Sequence, residues 1–235
     1  MANIHIAFIN PKPKTTVCKV RKLKKIVFVL VALLLIPIAL AYPPRIAFET
    51  ESSIDNQIIV KNPEISQAFY GELKDTIDYY QIKSDKEFNL YLEITVPDIP
   101  KQRTDFAVDI YQDGRLFKKI GSAGFEWTKF HEDFTGDDYL RGPSFEQKVP
   151  AGTYLIKVYN RDATGKYSLV IGKTESFTLK ETAKTILAMP KIKSDFFGKP
   201  AISAFFNLAG GLVLGVLILA GLLGYSVLAL IRKKK

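Results

Sequence analysis

The side chains best suited to chemistry crowd into one stretch of this sequence, residues 121–144, GSAGFEWTKFHEDFTGDDYLRGPS. It holds the single tryptophan, Trp127, and one of the two histidines, His131. Glu126, Glu132, Asp133, Asp137 and Asp138 lie among the aromatics Phe130, Phe134 and Tyr139. Three arrangements fit. Asp133, Asp137 and Asp138, with backbone carbonyls, are hard oxygen donors of the kind Ca²⁺ takes, although their spacing matches no established Ca²⁺ loop. Trp127, Phe130, Phe134 and Tyr139, with the acids, would make a face for a glycan or a peptide. In the third arrangement the aromatics pin a long loop to the domain and the acids are solvated. The stretch reads as the longest irregular segment, and long loops on a rigid scaffold are where binding sites usually lie. The candidate ligand-binding set is therefore Trp127, Phe130, His131, Asp133, Asp137, Asp138 and Tyr139.

The same inventory argues against catalysis. The single cysteine, Cys18, lies in a basic N-terminal stretch, and beyond that stretch His131 is the one histidine. Cys/His catalysis and a multi-histidine zinc site are excluded for the main domain. No serine sits in a nucleophile-elbow motif, and no glycine-rich phosphate loop is present. The expectation is a non-enzyme with no metal, no cofactor and no catalytic residue.

The elements that must position these residues are mostly strands. Period-two alternation marks 45–51, 57–61, 78–83, 106–112, 115–120, 145–149, 153–160 and 166–171, with 64–73 between them. It is clearest over 87–96, where Phe88, Leu90, Leu92, Ile94 and Val96 face one way. Asp113-Gly114 is a strong two-residue hairpin turn. Pro150-Ala151-Gly152 and Ala163-Thr164-Gly165 are turns between the last three strands. Eight to ten short strands without intervening helices predict a mainly β, antiparallel sandwich. A capping box at Thr178–Glu181 opens one amphipathic helix, with Leu179, Ala183, Ile186 and Leu187 at helical spacing and Pro190 as its stop. That helix is expected to lie flat at the membrane interface, to dock on the sandwich, or to serve as a stalk that orients the sandwich over the bilayer.

Two runs within this pattern resemble a known family. Gln67-Ala68-Phe69-Tyr70-Gly71-Glu72-Leu73 followed by Asp78-Tyr79-Tyr80-Gln81-Ile82 is similar to the start of a bacterial pre-peptidase C-terminal (PPC) domain. Pro150-Ala151-Gly152-Thr153-Tyr154-Leu155-Ile156-Lys157-Val158, then Gly165-Lys166-Tyr167-Ser168-Leu169, is similar to its end. The resemblance covers about residues 64–171. It implies a jelly-roll-like β-sandwich with an accessory binding or folding role. The departure is the setting, since here the domain stands without a protease.

Charge places the domain. Seven Lys or Arg precede Ile26 and four follow Ile231, with no acid in either tail. Removing those eleven leaves 22 basic residues against 24 acidic ones, so the basic balance belongs to the tails. Both tails abut hydrophobic runs, as the positive-inside bias requires. A nucleic-acid partner would need a basic face on a folded element, and the tails offer none. The run 26–42 (IVFVLVALLLIPIALAY) reads as a transmembrane signal anchor or, from Ala39-Leu40-Ala41 and Pro37, as a cleavable signal peptide. The run 203–231 reads as a transmembrane helix, its uncharged part spanning about 36 Å at ~1.5 Å per residue. Gly211, Gly215, Ala220 and Gly224 give it small-x-x-x-small packing positions for helix–helix association in the membrane.

The expected layout is a cytoplasmic tail (1–25), the first membrane segment (26–42), an extracytoplasmic β-sandwich ectodomain (43–175), a short juxtamembrane helix and stalk (176–202), a transmembrane helix (203–231) and a basic cytoplasmic tail (232–235). The N- and C-terminal transmembrane helices would place the protein in the cell membrane with both termini cytoplasmic. The expected function is binding or scaffolding at the cell envelope, with the lipid bilayer as one partner and an envelope protein, peptide or glycan as another. The alternative is an accessory subunit of a membrane transport or export complex, acting through its transmembrane helices.

Overall fold

The computed structural model describes residues 44–176 and 178–232. Among the described residues eleven strands precede two helices. They are β1 (Pro44–Ile46), β2 (Ile58–Val60), β3 (Gln67–Lys74), β4 (Asp78–Ser84), β5 (Phe88–Pro97), β6 (Ala107–Gln112), β7 (Arg115–Gly121), β8 (Thr128–Glu132), β9 (Asp137–Val149), β10 (Gly152–Tyr159) and β11 (Thr164–Ile171). Helix α1 spans Leu179–Lys191 and α2 spans Leu208–Arg232. A π-helical turn, Ile192–Phe196, extends α1, and a 3-10 turn, Ala201–Phe205, precedes α2.

The strands form two sheets. One has six strands in the order β1-β3-β11-β5-β9-β8, and the other five in the order β2-β4-β10-β6-β7. The chain crosses repeatedly from one sheet to the other, and the central orders β3-β11-β5-β9 and β4-β10-β6-β7 are those of a jelly roll. The sandwich is not wholly antiparallel. The short edge strands β1 and β2 pair in parallel with β3 and β4.

Inward-facing residues fill the space between the sheets: Phe88, Leu90, Leu92, Ile94 and Val96 of β5 meet Tyr154, Ile156 and Val158 of β10 in one buried cluster. The six-stranded sheet is also buried on its outer side. There Ala68, Tyr70, Tyr139 and Val170 pack under Ile192, Phe196 and Phe197. Burial on both faces explains why β3 reads as a nearly continuous buried run rather than an alternation.

Helix α1 docks on the sandwich. Thr178 caps it, its side chain accepting from the Glu181 N–H at 3.2 Å, and Arg45 of β1 ion-pairs Glu181 at 2.7 Å. Pro190 does not stop the helix as its sequence position suggests. The chain stays helical to Phe196 because Ile192 and Phe196 gain a buried seat on the sheet, which outweighs the one N–H that proline lacks.

The expectation of a transmembrane helix over 203–231 is corrected. The run 203–231 is not one element: the 3-10 turn ends at Phe205, and α2 begins only at Leu208, where Asn207 Oδ1 accepts from the Gly210 N–H at 2.9 Å. Among the described residues no helix is long and apolar enough to cross a membrane. Residues 26–42 lie outside the described residues. The described residues up to Val213 belong to one compact unit and those from Leu214 to a second. Among the described residues, a Cβ at Gly211 or Gly224 would meet nothing within 4 Å. Gly215 is half-buried and Ala220 exposed.

Candidate functional site

The stretch 121–144, expected to be irregular, is mostly a β-hairpin. β8 and β9 pair from Thr128↔Arg141 to Glu132↔Asp137 and add two strands to the six-stranded sheet. Glu132 holds the tip, accepting from the Phe134 N–H at 3.1 Å and the Thr135 N–H at 2.7 Å. Strand alternation then divides the candidate residues. Phe130, Asp137 and Tyr139 point to the outer face, under α1 and the π-turn. Trp127 packs against the inter-sheet core. His131 and Asp138 are exposed opposite each other, with His131 Nδ1 2.7 Å from Asp138 Oδ1. That hydrogen bond raises the histidine's pKa and lowers the aspartate's. Asp133 stands exposed at the tip. The seven residues do not form one site. Among the described residues no cluster of metal-ligating side chains occurs.

The outer-face group surrounds a cavity of about 40 Å³ lined by Tyr70, Glu93, Phe130, Tyr139, Arg141 and Met189, among others. Its polar groups mostly face one another, although Arg141 Nε, in ion-pair range of Glu93, makes no hydrogen bond among the described residues. The Tyr70 and Tyr139 hydroxyls lie 2.8 Å apart, and burial pushes both phenols up. Burial also raises Glu93, opposed by Arg141, whose Nε lies 2.8 Å away, and by the Tyr91 hydroxyl at 3.0 Å. The Arg141 guanidinium lies 4.3 Å over the Phe130 ring. Asp137 binds Lys193 at 2.6 Å and Lys199 at 2.9 Å. These contacts hold α1 and the π-turn to the sheet, and the cavity is far smaller than an ordinary ligand pocket of roughly 300–1,000 Å³.

The opposite surface of the sandwich is different. Among the described residues no helix covers the outer face of the five-stranded sheet. Register sets two rows across it. One runs Tyr79, Lys157, Asp109, Lys119 on β4, β10, β6 and β7. The next runs Ile59, Gln81, Leu155, Tyr111, Leu116 from β2 to β7. Tyr159 follows on β10, two residues beyond Lys157. Asp109 is only 3% exposed although it points outward. It accepts from the Tyr159 hydroxyl at 3.1 Å and ion-pairs Lys119 at 3.2 Å, and these contacts raise Lys119. Lys157 lies 4.7 Å over the Tyr159 ring. The face therefore presents half-buried tyrosines and a leucine, fixed by a buried carboxylate, with Ile59 at 55% and Leu116 at 49% exposure at its rims. Such a surface can stack on rings and donate hydrogen bonds, but it holds no nucleophile–base pair. The strand alternation carried these residues in the sequence. Which outer face α1 would occupy was not written there.

No family model matches the sequence, and no curated protein matches it. Solved structures with a local likeness include two of the catalytic domain of a GH87 alpha-1,3-glucanase, as different aspartate-to-alanine variants in complex with tetrasaccharides. One is 15% identical with a TM-score of 0.25 and the other 16% identical with a TM-score of 0.27. Each match covers 46% of this chain and 22% of the glucanase chain, so the chain spans about a fifth of the length of these structures. At those scores the likeness carries no argument about fold or activity.

Proposed function

We propose that this protein is a non-catalytic binding or scaffolding module of the cell envelope, and that its ligand face is the outer surface of the five-stranded sheet. One observation carries the reading. The two outer faces of the sandwich are unequal: α1 and the π-turn occupy one, while the other keeps Tyr79, Tyr111 and Leu155 half-buried and without a cover among the described residues. Aromatic side chains on a rigid sheet supply contact area at small cost in conformational entropy. The PPC-like resemblance over residues 64–171 agrees with an accessory binding role. The hydrophobic run at 26–42 behind seven basic residues agrees with export to the envelope.

The test is cosedimentation of the purified full-length protein with isolated cell envelopes. Wild type and the Trp127→Ala variant pellet, while Tyr111→Ala stays in the supernatant. Equal pelleting of Tyr111→Ala removes the five-stranded face from the reading. A wild type that never pellets removes the reading itself.

A further inference from the structure

We infer that the open face of the five-stranded sheet binds an acidic polysaccharide, with Tyr79 and Tyr111 stacking on sugar rings and Lys157 pairing with a carboxylate between them. The inference rests on the binding reading above and adds the chemical class of the ligand.

The placement comes from the register. Tyr79 on β4 lies opposite Lys157 on β10, and Lys157 lies opposite Asp109 on β6. Tyr111 lies two residues along β6 from Asp109. With strands ~4.8 Å apart and a rise of ~3.4 Å per residue, Tyr79 and Tyr111 stand about 12 Å apart on a diagonal. Leu155 and Lys157, on the central strand, lie under that diagonal. A ligand crossing the face thus meets a ring, a cation with an apolar neighbour, and a second ring. That sequence suits a polymer of flat-faced rings, not a compact metabolite.

Charge selects the acidic kind. Lys119 is neutralised by Asp109 at 3.2 Å. Lys157 contacts the Tyr159 ring and makes no ion pair among the described residues. Lys83, further along β4, is exposed and also makes no ion pair among the described residues. Covering an unpaired ammonium with a neutral polymer leaves a desolvated charge without a partner, whereas a carboxylate satisfies it. A nucleic acid fits less well. It would need a basic stripe against its dense phosphates, and between the two basic tails this chain carries 22 basic and 24 acidic residues. A peptide would add to a sheet edge through its backbone, and the cation and rings here stand on the face.

The test is affinity electrophoresis of the full chain through gels containing polygalacturonate, dextran or duplex DNA. Polygalacturonate retards wild type at low salt and less at high salt, while dextran and DNA leave its mobility unchanged. Lys157→Ala and Tyr111→Ala each weaken the retardation at least about tenfold, the size of one charge-assisted contact. Lys184→Ala, on α1, changes nothing. An unfolding midpoint for each variant confirms that it is folded. Equal retardation by dextran, an unaffected Lys157→Ala variant, or retardation by DNA as strong as by polygalacturonate overturns the inference. So does an absence of retardation by polygalacturonate. If envelopes still pellet the protein in that last case, the binding reading stands and only the ligand class falls.

Discussion

Lys193 and Asp137 meet at 2.6 Å with side chains only 3% and 1% exposed, joining the π-helical turn to the start of β9. Lys193 also donates to the Thr135 carbonyl at 2.6 Å, and Asn207 donates to the same carbonyl at 2.7 Å. The hairpin tip and the C-terminal segment thus share one polar joint. Removing one partner of a buried pair strands the other, at a cost of roughly 3–5 kcal/mol. Lys199, 2.9 Å from Asp137 but 38% exposed, offsets part of this. Lys193→Met is expected to lose about 3 kcal/mol in denaturant unfolding and to raise hydrogen exchange across α1. A loss within about 0.5 kcal/mol, the range of neutral surface changes, would show that the joint does not hold the helix.

The core contains a second polar joint, and it responds to pH. The Tyr80 and Tyr167 hydroxyls lie 2.7 Å apart, and Tyr167 donates to Asp78 at 2.5 Å. Burial raises the Asp78 carboxyl from 3.8 to about 6, against the hydrogen bond from Tyr167, which lowers it. The folded state therefore holds the proton more tightly than the unfolded chain. The stabilisation is fully present below about pH 4 and is lost as pH rises through about 6. Two pKa units correspond to about 3 kcal/mol as an upper figure. Asp78→Asn keeps an acceptor for Tyr167 and removes the titration. The difference in stability between the variant and wild type is expected to grow in the variant's favour from pH 4 to pH 7. A difference that stays flat across that window would mean Asp78 is ionised in the fold without penalty.

Much of the sandwich was legible because its strands alternate. Phe88–Val96 kept its inward set, and Asp113-Gly114 makes the hairpin turn with φ of 47° and 82°, the positive pair such a turn requires. The β8–β9 hairpin was not legible for two physical reasons. β8 is an edge strand whose side chains are half-buried or exposed, so it shows no apolar alternation. Gly142-Pro143 reads as a breaker but sits at a bulge, where Glu93 pairs Ser144 and Thr95 pairs Arg141. Because β9 alternates through this region, Asp137 and Asp138 fall on opposite faces, which no spacing rule for a loop would separate. Glu93, Arg141 and Lys193 were missed because their roles arise only when distant segments meet. The tyrosines of the open face were visible as strand residues, but a sequence does not state which sheet α1 will cover.

Gly142 gives the bulge a second role. A Cβ there would lie 2.5 Å from the Trp127 ring and 2.8 Å from the Ile94 carbonyl oxygen. The ring must move, since the carbonyl belongs to a central strand. Trp127 is the chain's single tryptophan, so its fluorescence reports the displacement directly. Gly142→Ala is expected to shift the emission towards that of a more exposed indole and to cost about 1–3 kcal/mol, the usual range for overpacking. Unchanged emission and stability would mean that the ring is not seated on this glycine.

His131 and Asp138 stand opposite each other on β8 and β9, both exposed, with 2.7 Å between Nδ1 and Oδ1. The carboxylate favours the imidazolium, so the histidine titrates above its ordinary value. The contribution of this pair to stability is present while the ring is charged and fades as pH rises through the raised pKa. Exposure leaves the pair to solvent and salt, so its use is as a reporter of hairpin register. NMR titration of His131 is expected to give a midpoint above that of a model imidazole, and Asp138→Asn to bring it down. Adding salt moves the wild-type midpoint in the same direction. If Asp138→Asn leaves the midpoint where it was, the two side chains are not paired in solution, and the register that sends Asp137 under the π-turn to Lys193 and Asp138 to solvent is wrong.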